Sequence, residues 1–177
     1  FALKQIDKWL AGRKLAVIYF NWGRHDLKHV KAGSWKNSNN PADPMRASVE
    51  QFSQNLKVII GKLKATDAHL IFATTTPVAP GTINPLRDPD APARYNSAAV
   101  NIMNANGIRV DDLYALCKPQ IAEWQLSHNV HFMAAGWTGL ARHLAPVIQE
   151  ELADAVTDRK VKLTPMQPND SSKQNSL

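Results

Sequence analysis

The sequence has a single cysteine, Cys117, among 177 residues, which excludes an internal disulfide. That thiol is expected to pack as a small apolar side chain. No apolar run reaches the roughly 20 residues that a helical membrane span requires, so no membrane partner is expected. No signal-peptide pattern occurs either. The formal charge is +6, yet the Lys and Arg residues are scattered and form no dense block. No nucleic-acid motif accompanies them, so nucleic acid is not an expected partner. There is no internal repeat. The chain opens at Phe1 rather than Met, in what reads as the middle of a helix, so a processed or incomplete chain is expected.

What is present is the composition of a globular domain: 44% hydrophobic and 20% charged residues. Phe1 to Ala11 has apolar residues near helical spacing, with Gly12 as a stop. Leu15 to Phe20 is a short apolar run rich in β-branched and aromatic side chains. It reads as a strand buried on both faces, as in parallel sheets. Lys31 to Pro44 reads as a loop. Met45 to Leu63 repeats apolar residues at three and four, which predicts an amphipathic helix. A second strand is expected over His69 to Thr76, then a long loop over Val78 to Ala93. A helix over Arg94 to Asn106, a strand over Ile108 to Val110, a partly helical stretch over Leu113 to Trp124 and a long helix over Gly136 to Ala155 complete the pattern. Residues 1–157 are expected to form one domain, and 158–177 a polar tail.

Strands alternating with helices predict an α/β fold, a three-layer α/β/α sandwich around a parallel sheet. In such sheets ligands sit beyond the carboxyl ends of the strands. Those ends carry Asn21 to Asp26, Thr74 to Pro77 and Asp111-Asp112, and the loop Ser127 to Phe132 is expected to join them. Three polar clusters therefore converge on one rim: Asn21/His25/Asp26, Thr74 to Thr76, and His128/His131. Each also has a plainer reading. Gly23 permits a tight turn, Asp26 caps the segment after it, the threonines have ordinary strand propensity, and the histidines occupy a solvated loop.

Taken in order, these residues resemble the SGNH (GDSL-type) hydrolases. "FNWGRHDL" followed by "NVHFMAAGWTGLA" is similar to that family's Gly-x-Asn-Asp block and its later Asp-x-x-His block. Here the blocks stand as Gly23-Arg24-His25-Asp26 and His128-Asn129-Val130-His131, continuing to Phe132 and Gly136. "TTTP" at Thr74 to Pro77, "YN" at Tyr95-Asn96 and "DLY" at Asp112 to Tyr114 fit in the same order. The resemblance covers roughly Phe1 to Glu151. It implies a flavodoxin-like sheet of order 2-1-3-4-5 and a carboxylic ester hydrolase without a cofactor. The substrate would be a short acyl ester or an acetylated carbohydrate. By position His131 is the general base, and His25 stands at the oxyanion-donor position. A neutral imidazole has one N–H to offer there. Asn21, Gly23, Thr75 and Thr76 are expected on the substrate and oxyanion rim, and many relatives are exported, so a secreted or periplasmic location is expected.

The sequence departs from the family pattern at three places. The Gly-Asp-Ser block and the second-block Gly have no counterpart, the orienting Asp is His128, and the Asn is His25. His131 is then expected to be oriented by a backbone carbonyl, Asp26, Asp111 or Asp112. Without a first strand, Leu15 to Phe20 becomes an open edge. Either a preceding N-terminal segment or a second copy of the chain is expected to cover it. Two other readings remain open: a non-catalytic ligand-binding module on the same fold, and metal-assisted hydrolysis through His25, Asp26, His128 and His131. Ser127 and Ser34 are the substitute nucleophiles to consider.

Overall fold

The computed structural model describes residues 2–81 and 83–163, with side chains through Arg159. Helix α1 (Ala2–Leu10) leads into strand β1 (Val17–Phe20). Helix α2 (Val49–Lys64) begins where Ser48 accepts a bond from Gln51 N at 3.2 Å. It starts later than the expected Met45 because the preceding amides are engaged elsewhere. Arg46 N donates to Lys28 O at 2.7 Å and Ala47 N to Asp26 O at 3.4 Å. Strand β2 (His69–Ala73) stops short of the expected Thr76. Beyond Ala73, the main chain of Thr75 turns to a side chain: its N–H donates to Asn96 Oδ1 and its carbonyl accepts from Asn96 Nδ2, both at 2.8 Å.

Helix α3 (Ala91–Ala105) carries Pro92 in its first turn, which favours a start earlier than Arg94. Strand β3 (Arg109–Asp111) is followed by two short helices, α4 (Leu113–Cys117) and α5 (Ile121–Trp124), joined by a 3₁₀ turn. Helix α6 (Ala134–Leu163) is longer than Gly136 to Ala155 at both ends and crosses the expected boundary at Thr157. Residues 164–177 of the expected tail lie outside the described residues. Among the described residues, no helix is long and apolar enough to cross a membrane.

The sheet is parallel, in the order β1-β2-β3. Alternation along the strands sends Phe20, Leu70 and Phe72 to one face, where they pack with Ile6 of α1, Phe52, Leu56 and Ile60 of α2, and Tyr95 and Met103 of α3. Helix α6 covers the other face and is joined to it by ion pairs. His69 Nδ1 lies 2.9 Å from Glu151 and Arg109 Nη1 3.1 Å from the same carboxylate. The result is the expected three-layer α/β/α sandwich. One expectation about β1 fails. Only Phe20 is buried, whereas Val17, Ile18 and Tyr19 are half-buried, and β2 is the strand enclosed on both faces. The reason is position: among the described residues β1 has a strand on one side only. Cys117 is buried as expected, and burial pushes its thiol up to about 11.

Candidate active site

The rim is built from what each strand delivers at its carboxyl end. Beyond β1, Asn21 Nδ2 donates to Ala73 O at 2.7 Å and to Thr75 Oγ1 at 3.3 Å, tying this turn to the end of β2. Gly23 comes next with φ 140°, and a Cβ placed there would lie 2.5 Å from Thr75 Oγ1. Only glycine fits the conformation and the space together. The amides of Asp26 and Leu27 then return to Gly23 O at 2.8 and 3.2 Å, closing one helical turn. That turn leaves His25 exposed and Asp26 half-buried.

Loss of solvent raises the Asp26 pKa above its usual range. It lowers that of His25, and the positive charges of Lys28, Arg87, Arg46 and Arg24 push it the same way. His25 is therefore neutral at pH 7, with one ring N–H to donate. Beside it lies a cleft of ≈ 470 Å³ between α1 and α2. Trp9, Trp22, Phe52, Leu56 and Ile59 supply its apolar wall, and His25, Asp26, Arg46 and Asn55 its polar mouth.

The threonines beyond β2 are all buried and bonded within the protein. Thr74 Oγ1 donates to Asp112 Oδ1 at 2.8 Å and accepts from Tyr114 N at 2.8 Å. Thr75 Oγ1 donates to Trp22 O at 3.3 Å, and Thr76 Oγ1 is bonded by Arg24. Thr75 and Thr76 thus brace the rim from beneath instead of facing a ligand with free hydroxyls.

The late block is a tight hairpin between α5 and α6. Gln125 and Phe132 form an antiparallel bridge, and Leu126 N donates to His131 O at 3.0 Å. Close approach at its base holds it in place: a Cβ on Gly139 of α6 would collide with the Trp124 ring. His128, at φ 52°, lies over Gly81. His131 is exposed, and its Nδ1 lies 2.6 Å from Asn129 Oδ1, which also accepts from the amides of Val130 and His131. An amide oxygen only accepts, so Nδ1 carries a ring proton, and in the neutral ring the lone pair is on Nε2. The side chain bonded to this ring is therefore Asn129. Asp111, one of the carboxylates expected in that role, is buried and engaged by Tyr19 OH at 2.7 Å and His143 Nε2 at 2.6 Å.

The two blocks meet at one main-chain atom. Pro77 O accepts from Arg24 Nη1 at 3.2 Å and from Gln125 Nε2 at 2.9 Å. Arg24 Nη2 also donates to Thr76 O at 2.8 Å. Gln125 is buried, and its Oε1 finds no partner among the described residues. Among those residues no hydrogen bond joins His25 to His131, and none joins either to a hydroxyl. Of the substitute nucleophiles, Ser34 Oγ donates to Lys31 O at 3.2 Å in its own turn, and Ser127 makes no hydrogen bond to His131 among the described residues. His25, Asp26, His128 and His131 do not assemble as metal ligands, and among the described residues no group of three His, Cys, Asp or Glu side chains does.

Solved structures resemble this chain. The lipase/acylhydrolase from Enterococcus faecalis superposes with a TM-score of 0.60 at 21% identity, over 86% of this chain and 69% of that one. A second structure matches with a TM-score of 0.55 at 17% identity, over 84% of this chain and 69% of its own. The chain has an SGNH-hydrolase-like fold. No family model matches the sequence, and no curated protein does. The strands β1, β2 and β3 run parallel. The rim at their carboxyl ends is where such sheets hold ligands. Arg24, Asn96, Gln125 and Asn129 are the rim residues that sequence reasoning left without a role. Asn129 alone carried a local signal, because an Asn two residues before a His can fold its carbonyl back onto the following amides.

Proposed function

We propose that this chain provides the acid–base and oxyanion side of an ester hydrolase, acting on a short acyl ester or an acetylated carbohydrate. The supporting observation is the His131–Asn129 pair, an exposed imidazole fixed in the tautomer that leaves Nε2 free to accept a proton. A neutral amide holds the ring without contributing a charge, as in Cys-His-Asn sites. In this reading a serine hydroxyl attacks the ester carbonyl as His131 Nε2 takes its proton. The same proton then goes to the departing alkoxide, and water repeats the cycle on the acyl-enzyme. The N–H of neutral His25 donates to the developing oxyanion. In this reading the serine is brought by a strand lying along the edge of β1 that is unpaired among the described residues.

Hydrolysis of p-nitrophenyl acetate and butyrate by the full-length protein tests this. His131→Ala is expected to lower kcat by at least about a hundredfold, the usual worth of general-base catalysis. Hydrolysis that survives His131→Ala would overturn the role given to the histidine. The second reading, a ligand-binding module, is favoured by the lack of any hydroxyl bonded to His131 among the described residues. It predicts saturable ligand binding with no turnover.

A further inference from the structure

Four cationic side chains gather beside the cleft without the carboxylates that would balance them. Three loop segments carry them, and backbone bonds fix those segments together. Arg46 N donates to Lys28 O at 2.7 Å and His29 N to Leu86 O at 3.0 Å. Arg87 Nε donates to Arg24 O at 3.3 Å. Arg24, Lys28, Arg46 and Arg87 are thereby brought to one patch, and Arg46 also lines the cleft beside His25. Arg46 is held in place by Trp35, whose ring centroid lies 4.8 Å from the guanidinium carbon.

Among the described residues none of the four forms an ion pair. The neighbouring carboxylates are engaged otherwise. Asp88 lies 3.2 Å from His29 Nε2, and Asp43 accepts from Ser38 Oγ. Asp26 alone shares the cleft; burial raises its pKa above the usual range, and the charge of Arg46 offsets that only in part. Arg87 is 5% exposed, and its two bonded nitrogens donate only to carbonyls. Holding guanidinium groups away from water without a counter-charge is unfavourable, and an arriving anion relieves it. The pKa values of His25 and Lys28 are lowered in part by these same cations, which marks the patch as electropositive.

We propose that the mouth of the cleft is an anion subsite, where Arg46 binds the carboxylate, phosphate or sulfate group of the substrate while Lys28 and Arg87 supply the surrounding positive potential. The apolar part of the same molecule lies against Trp22 and Phe52. The identification of the ligand as an ester rests on the hydrolase reading above, whereas the anion subsite does not.

The experiment has two arms. In the first, the His25 ring proton is titrated by NMR with inorganic phosphate and with chloride at matched ionic strength. Phosphate is expected to saturate and to raise the His25 titration midpoint. Arg46→Ala and, separately, Lys28→Gln are expected to weaken phosphate binding, the former by about tenfold, as for the loss of one charged hydrogen bond. In the second arm, the kcat/KM of p-nitrophenyl butyrate is compared with that of mono-p-nitrophenyl succinate. The anionic ester is expected to be preferred, and Arg46→Ala to reduce the preference ratio by about tenfold. A His25 midpoint that phosphate leaves where chloride does, or phosphate binding equal in wild type and both variants, overturns the subsite. If neither ester is hydrolysed but phosphate still moves His25, the hydrolase reading fails and the anion subsite stands.

Discussion

Replacing Gly23 with alanine tests how closely the turn after β1 is wedged against the end of β2. At φ 140° the added Cβ would sit 2.5 Å from Thr75 Oγ1 and 3.6 Å from Thr75 Cβ. Two costs combine. The backbone conformation itself costs a non-glycine residue of order 1–3 kcal/mol. The Thr75 hydroxyl must also rotate away, which breaks its bonds to Trp22 O and Asn21 Nδ2, both 3.3 Å long. Each such bond contributes about 0.5–1.5 kcal/mol. The expected loss is therefore about 2–6 kcal/mol, read as a fall of about 1–3 M in the urea midpoint at unchanged slope. Thr75→Ala supplies the control. It removes the hydroxyl and both bonds, so in that background Gly23→Ala bears only the backbone cost. The two substitutions should be less than additive, by about 1–3 kcal/mol. Strict additivity, or a midpoint for Gly23→Ala indistinguishable from wild type, would refute the wedge.

Three further outcomes are expected. Asn96→Ala strips both partners from the buried main chain of Thr75 and should destabilise by about 2–4 kcal/mol in urea unfolding, more than an exposed Asn→Ala elsewhere on α3. Tyr19→Phe removes one of the two donors to the buried Asp111 carboxylate and should lower stability by about 1–3 kcal/mol, measured in the same way. His25 should titrate below 6.5 by NMR. Because its folded pKa is the lower one, the unfolded chain binds more protons in that window. Its contribution to stability is then complete above about pH 6.5 and is lost as pH falls toward the folded value, and His25→Gln should remove that slope.

The layers of the fold were legible because periodicity is local. The amphipathic repeat of Phe52, Leu56, Ile59 and Leu63 and the apolar runs before Asn21 and Thr74 announce themselves over a few residues. The element ends were less legible because long-range bonds decide them. Nothing near Thr75 says that Asn96 will take over its main chain and end β2, and nothing near Met45 says that the amide of Arg46 belongs to Lys28. The site divides in the same way. His25 and His131 stand out as residue types at strand and loop ends, where such sheets place their ligands. Arg24 and Gln125 do not, since their meaning lies in a carbonyl some fifty residues away in either direction. Asn129 was passed over because a backbone carbonyl or a carboxylate was sought as the partner of His131, and a side-chain amide is bonded to the ring instead.

The shared carbonyl of Pro77 has a consequence for how this protein tolerates change. An oxygen of the main chain survives any substitution at its own position, so the joint between the two halves of the rim is encoded by its donors rather than by the residue that forms it. A survey of variants would find position 77 permissive wherever the backbone path is kept, and positions 24 and 125 intolerant. The two donors should also depend on each other, because each helps to hold the atom that the other needs. Transplanting the late hairpin into another scaffold would then require carrying an arginine from the far end of the chain with it.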